Sequence, residues 1–234
     1  ACAALALGVV EPGTVFLSAG TAWVLTTPAA HCDVDSLPTG INLSPHFINQ
    51  RWSASRHIGG LGAAIAWAIG ELGIAADDLT TLLQAHSPSR SDPFFIPTLA
   101  DPARVAWGRY AGRRDDSPPA VLAWAVLEST AFEVRRELDL LSALFANVAT
   151  LVVVGRAATP LVCRLIASAC GIRIIRREET SWPALGAAQI AASALGWAPP
   201  ESDPTRSEIV DPYPPLSETL AARYHEYRIL VEGD

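Results

Sequence analysis

The stretch from Thr150 to Ile175 limits the fold more than any other part of the chain. Thr150 to Val154 (TLVVV) is β-branched and apolar with no polar alternation, so a strand there must be covered on both faces. Gly155 ends the run, Thr159 and Pro160 open a helix, and Gly171 closes it before a second strand at Ile172 to Ile175 (IRII). Strand, helix, strand at this spacing implies a right-handed parallel crossover. A further helix is predicted from about Pro183 to Leu195, closed by Gly196, and the expected class is α/β.

The rest of the chain supplies partners for that unit. Thr14 to Ser18 (TVFLS) and Ala22 to Thr27 (AWVLTT) read as a β-hairpin with its turn at Gly20, followed by Thr21. Residues 28–58, broken by Pro28, Pro38, Gly40 and Pro45, read as loops and short strands. Gly59 to Gly73 is a predicted helix with Leu61, Ile65, Trp67, Ile69 and Leu72 as apolar positions, and the glycines at 59, 60 and 62 imply close packing at its start. Ala85 to Asp101 reads as an ordered surface loop, because Phe94, Phe95 and Ile96 are too apolar for a free linker. Ser117 as N-cap, with Pro118 and Pro119, opens a long helix to about Phe145. Beyond Pro199 the tail is polar and proline-rich until Leu216, where Leu220, Tyr224, Tyr227 and Leu230 predict a short docking helix. The expected core sets strands 14–27, 150–154 and 172–175 against helices 120–145 and 159–170, burying Leu122, Phe132, Leu151, Val153 and Leu165.

Composition removes several function classes. Glu71, Arg104, Glu128 and Arg164 interrupt the best apolar runs, so no membrane span is expected although mean hydropathy is +0.26. Seventeen basic against 24 acidic residues, a net charge of -7, exclude a general nucleic-acid binder. Four cysteines without C-x-x-C spacing read as reduced, mostly buried thiols and a cytoplasmic address. The chain holds no methionine and opens ACAALALGVV with no basic region, which reads as a buried small-residue helix after an excised or processed start.

Two turns have the chemistry to hold an anion, which needs converging N–H groups or a helix N-terminus. One is Ser18 to Ala22 around Gly20 and Thr21; the other is Gly155 to Thr159, where a helix dipole adds about half a positive charge. Other clusters carry less. His31, Cys32, Asp33 and Asp35 alternate as metal ligands would, but with no second cluster they read as a solvated loop. Cys163 and Cys170 share a helix face and read as core. Glu128 reads as a partly exposed helix-face carboxylate, Arg176 to Glu179 as a solvated turn, and His86, Ser87 and Ser89 lack the glycine elbow of a serine nucleophile.

Taken in order, LALGVVEPGTVFLSAGTAWVL (5–25), GGLGAAIAWAIGELG (59–73), AVLAWAVLESTAFEVRRELDLL (120–141), TLVVVGRAATPLVCRLIASACGIRII (150–175), EETSWPALGAAQIAASALGW (178–197) and YPPLSETLAARYHEY (213–227) resemble the C-terminal domain of the FGGY carbohydrate kinases, xylulose kinases above all. The resemblance implies an actin-like ATPase (ribonuclease-H-like) domain, a mixed sheet flanked by helices, with residues 1–234 forming one nucleotide-binding domain whose tail is 199–234. It implies ATP and Mg2+ as cofactors and a sugar, with xylulose or a related ketopentose in mind, as the acceptor of the γ-phosphoryl group. Gly20 and Thr21 match the hairpin that meets the ATP phosphates, and Gly155, Arg156, Ala157 and Thr159 match the turn that meets adenosine. The catalytic aspartate is expected just upstream of Ala1, and the sugar-binding N-terminal domain is the expected partner, a homodimer being compatible; the chain alone is expected to be inactive. The sequence departs from the family where it has Val154-Gly155-Arg156-Ala157-Ala158-Thr159 for a Gly-Gly-Gly-Ala-Arg-Ser turn, losing two glycines and one arginine, Ala22 for the serine after Gly-Thr, and Ala100, Asp101 and Pro102 for a Gly-Glu-Arg-x-Pro segment. A pseudokinase half that binds a partner or a sugar without catalysis is the rival reading.

Overall fold

In the computed structural model, which describes residues 2–47, 51–75, 81, 83, 86, 88–99, 106–178, 181–200 and 207–233, the strands β1 (Thr14–Ala19) and β7 (Thr150–Val154) run side by side and parallel. β2 (Trp23–Ala29) returns antiparallel to β1 with Ala19 opposite Trp23, and β4 (Trp52–His57) and β3 (Ile41–Pro45) extend that side. On the other side β8 (Arg173–Arg177) is parallel to β7, and β9 (Ser207–Val210) is antiparallel to β8. The sheet order is β3-β4-β2-β1-β7-β8-β9, a mixed sheet of the expected class, beside a two-stranded sheet of β5 (Phe94–Pro97) and β6 (Gly108–Ala111).

Helices cover both faces: α1 (Cys2–Ala6), α2 (Leu61–Glu71), α3 (Pro119–Leu144), α4 (Pro160–Cys170), α5 (Trp182–Ala194) and α6 (Pro214–Glu232). The alternation of β7 decides which face takes which residue. Leu151 and Val153 join Val15, Leu17, Phe132, Leu165 and Ile166 in the large core, whereas Val152 and Val154 pack with Phe16, Ala4, Ala6 and Trp182 beneath α1 and α5. Leu151, Val153, Phe132 and Leu165 are fully buried and Leu122 is 2% exposed, as the apolar periodicity predicts. The opening segment is the buried small-residue helix anticipated, with Ala4 and Ala6 covered. Among the described residues no helix is long and apolar enough to cross a membrane.

Several expectations need correction. Ser117 does not cap α3: the N-cap is Pro118, and the Ser117 hydroxyl instead accepts from the Arg114 N–H at 2.9 Å. Glu128 is 1% exposed, because α6 lays Arg223 against it. Arg176 and Arg177 belong to β8 rather than to a turn, with Arg176 paired to Glu208 of β9 at 2.8 Å; Glu179 lies outside the described residues. β9 falls in the tail expected to be irregular, and β5 within the expected loop, of which Ala85, Ser87, Ala100 and Asp101 lie outside the described residues. The docking helix is longer than anticipated, 19 residues, but buries Leu220, Tyr224 and Tyr227 as its spacing predicts.

Candidate functional site

β1 and β7 are parallel and in register, Ser18 beside Val154, so the turns that leave them open at the same end of the sheet. Gly155 follows β7 with φ of 110°, and a Cβ there would overlap the Ala19 carbonyl oxygen and lie 2.8 Å from its carbon. The Ala157 N–H donates to that same oxygen at 3.1 Å. Only glycine permits so close an approach with that backbone, and the contact joins the second turn to the residue directly before Gly20 and Thr21. Gly20, Thr21, Arg156 and Thr159 are exposed, with Gly155 and Ala157 half-buried.

A third element reaches this corner that the sequence signalled only as close packing. At the start of α2, a Cβ on Gly62 would overlap the Gly20 carbonyl oxygen and sit 2.9 Å from that of Thr21. The approach is fixed by the Trp23 N–H donating to Gly59 O at 3.3 Å and the Ile58 N–H to Trp23 O at 2.8 Å. Three glycines in four positions were the visible trace of that contact.

The hydrogen bonds of the second turn limit what it can hold. The Ala158 N–H donates to Gly155 O at 3.0 Å and the Thr159 N–H to Ala157 O at 2.8 Å, while the Thr159 hydroxyl accepts from the Val162 N–H at 3.3 Å as the N-cap of α4. With the amides of Ala157, Ala158 and Thr159 engaged inside the fold, the turn is no cradle of free N–H groups. It offers instead the flat backbone at Gly155, the Arg156 side chain and the positive end of α4. Beside it lies an open recess of about 510 Å³ whose lining includes Gly155, Arg156, Thr159, Arg176 and Arg177. The Arg177 guanidinium stands 6.0 Å from the Trp182 ring centroid, and its Nε and one terminal nitrogen are buried with no hydrogen-bond partner.

His31 to Asp35 is a surface segment entering the short 3-10 turn Val34–Ser36, and the described residues hold no group of three candidate metal ligands. Burial pushes the thiols of Cys163 and Cys170 up to about 12, as befits packing rather than redox work. His86 Nε2 lies 2.8 Å from Asp92 Oδ2, and Ser87 is outside the described residues.

Comparison with known proteins gives the family and the fold. Residues 15–195 match the FGGY family of carbohydrate kinases, C-terminal domain. A glycerol kinase of Trichlorobacter lovleyi is 31% identical over 148 residues, 58% of this chain and 29% of that protein. Xylulose kinase from Rhodospirillum rubrum superposes with a TM-score of 0.84 at 20% identity, over 99% of this chain and 49% of that one. Plasmodium falciparum glycerol kinase, solved with ADP, superposes with a TM-score of 0.79 at 14% identity, over 99% and 49%. The chain thus spans at most about half the length of these relatives, and the structural likeness fixes its fold as the actin-like ATPase type.

Proposed function

The chain belongs to the FGGY family of carbohydrate kinases, and from that membership we propose that it is the nucleotide-binding C-terminal half of an enzyme that transfers the γ-phosphoryl group of ATP to a sugar hydroxyl. The observation that carries the reading is the meeting of Gly20, Thr21 and Gly155 at one corner, with the start of α2 packed on the hairpin tip. In this reading the exposed Thr21 supplies a hydroxyl that donates to a phosphate oxygen, and Gly155 lets a nucleoside approach without a Cβ in the way. Arg156 is exposed and borders the recess, where its guanidinium can stack on the base. Mg2+, when bound, neutralises charge on the triphosphate; as it takes most of its ligands from phosphates and water, the lack of a carboxylate cluster among the described residues is compatible with it. The base that activates the sugar hydroxyl and most sugar contacts are assigned to the preceding domain. Xylulose or a related ketopentose is the proposed acceptor, supported by the likeness to xylulose kinase, with glycerol the competing polyol. Four free thiols and the use of ATP support a cytoplasmic setting.

The test is calorimetric titration of the full-length protein with Mg-ATP, together with ADP release over a panel of xylulose, ribulose and glycerol. Thr21→Val is expected to weaken nucleotide binding by about 1–3 kcal/mol, the usual consequence of removing one partner of a desolvated polar contact. Absence of both binding and sugar-dependent turnover would leave the pseudokinase reading and remove this one.

A further inference from the structure

We propose that Arg223, on the C-terminal helix α6, is a positioning residue for the cleft: by holding the peptide 89–93 it sets Leu99 against the Gly59 corner on which the hairpin tip rests. The proposal builds on the reading of that cleft as a nucleotide site. The Arg223 guanidinium is fully buried and bidentate to Glu128, with both N···O distances 2.7 Å. Its remaining N–H groups donate to main-chain oxygens of the turn before β5: Ser89 at 2.8 Å, Asp92 at 3.1 Å and Pro93 at 3.3 Å. Its Cζ lies 4.2 Å from the Phe94 ring centroid, over the first residue of β5. A planar fork with five donors can serve a carboxylate and several carbonyls at once, which a lysine ammonium cannot.

The chain then runs straight from this anchor to the site. β5 ends at Pro97, the Thr98 N–H donates to Trp107 O at 2.9 Å, and Leu99 abuts Gly59, where a Cβ would lie 3.1 Å from the Leu99 Cβ and 3.2 Å from its carbonyl oxygen. Gly59 accepts from Trp23 across the hairpin, and Gly62 rests on the carbonyls of Gly20 and Thr21. A displaced 89–93 peptide therefore moves the corner on which the proposed phosphate-facing turn sits.

A buried ion pair can often be exchanged for well-packed apolar side chains at little cost in stability, and loss of the donors to the 89–93 carbonyls then shows in the position of that peptide. That separates the two roles. In the full-length protein, wild type, Arg223→Lys and the double variant Glu128→Leu/Arg223→Met are compared by thermal unfolding, Mg-ATP titration, kcat and KM, and hydrogen exchange of peptides covering 59–62. The double variant is expected to fold, to bind Mg-ATP about fivefold or more weaker through a raised KM for ATP, and to exchange faster at 59–62. Unchanged affinity and exchange in the folded double variant overturn the proposal. Should that variant not fold, Arg223→Lys, which keeps the charge and loses the fork, decides in the same way. A wild-type protein that does not bind Mg-ATP, or a Thr21→Val variant that binds as tightly as wild type, overturns the nucleotide reading itself and this inference with it.

Discussion

Gly62 and Gly70 stand in the same helix, and alanine at each is expected to move stability in opposite directions. Nothing lies within 4 Å of a Cβ built on Gly70, so Gly70→Ala changes only backbone entropy and should stabilise by about 0.5–1 kcal/mol. At Gly62 the added carbon would overlap the Gly20 carbonyl, and the resulting shift of the hairpin tip outweighs the propensity gain, giving a net loss of about 1–3 kcal/mol. Denaturant unfolding of the two variants reads both signs. Arg156 gives a second prediction at this scale. Stacking of its guanidinium on the base makes Arg156→Gly bind Mg-ATP about 0.5–2 kcal/mol more weakly in calorimetry, whereas a side chain that blocked the base would make the variant bind more tightly. The glycines at 20, 59, 60, 62 and 155 were all visible as turn and packing signals. What Gly59, Gly62 and Gly155 packed against was not, because each Cβ clash involves a segment distant in sequence.

Helix α6 shows what sequence periodicity reveals about an element and what it hides. Leu220, Tyr224 and Tyr227 marked an apolar stripe, and it does dock. Arg223, inside the same stripe, carries no local signal of its burial, since its partner Glu128 is 95 positions away. The neighbouring pair behaves similarly: the Tyr227 hydroxyl donates to Glu133 Oε1 at 2.6 Å, and Arg136 lies 2.8 Å from Oε2. Burial pushes the Glu133 carboxyl above its ordinary value of 4.5, against the pull of Arg136 and of the Tyr227 hydrogen bond. A carboxyl raised in the folded state contributes stability that is fully present below the ordinary value and is lost as pH climbs through the raised one. Glu133→Gln keeps an acceptor for Tyr227 and cannot ionise. Its stability is therefore expected to fall less steeply than that of wild type from about pH 4.5 upward. Parallel slopes in urea unfolding at several pH values would show that Glu133 is not the group responsible. β9 was missed for a related reason: Ser207 and Glu208 are polar and exposed, and only the pairing with β8 makes the segment a strand.

At the scale of the whole molecule, the α/β class was legible because an apolar strand, a capped helix and a second strand leave little choice but a covered parallel pair. That β7 would lie beside β1 was not legible, for strand pairing across such a separation follows from global packing. Yet that pairing is what brings both glycine turns to one end of the sheet. The large core draws residues from β1 through α6, so the chain is expected to fold as one cooperative unit when expressed alone. On the proposed reading it then presents one wall of a cleft that a preceding domain completes. In-line phosphoryl transfer needs nucleophile, base and triphosphate held within tenths of an ångström, and positioning of this kind contributes about 7–11 kcal/mol to rate. A single wall cannot hold the sugar against the γ-phosphoryl group, so the isolated chain is expected to unfold in one transition and bind Mg-ATP more weakly than the full-length protein. It is also expected to release no ADP in response to xylulose or glycerol. Supplying the preceding half, in one polypeptide, is expected to restore both tight binding and turnover. Sugar-dependent ADP release by the isolated chain would mean that it carries its own base, and would overturn the division of labour proposed between the two halves.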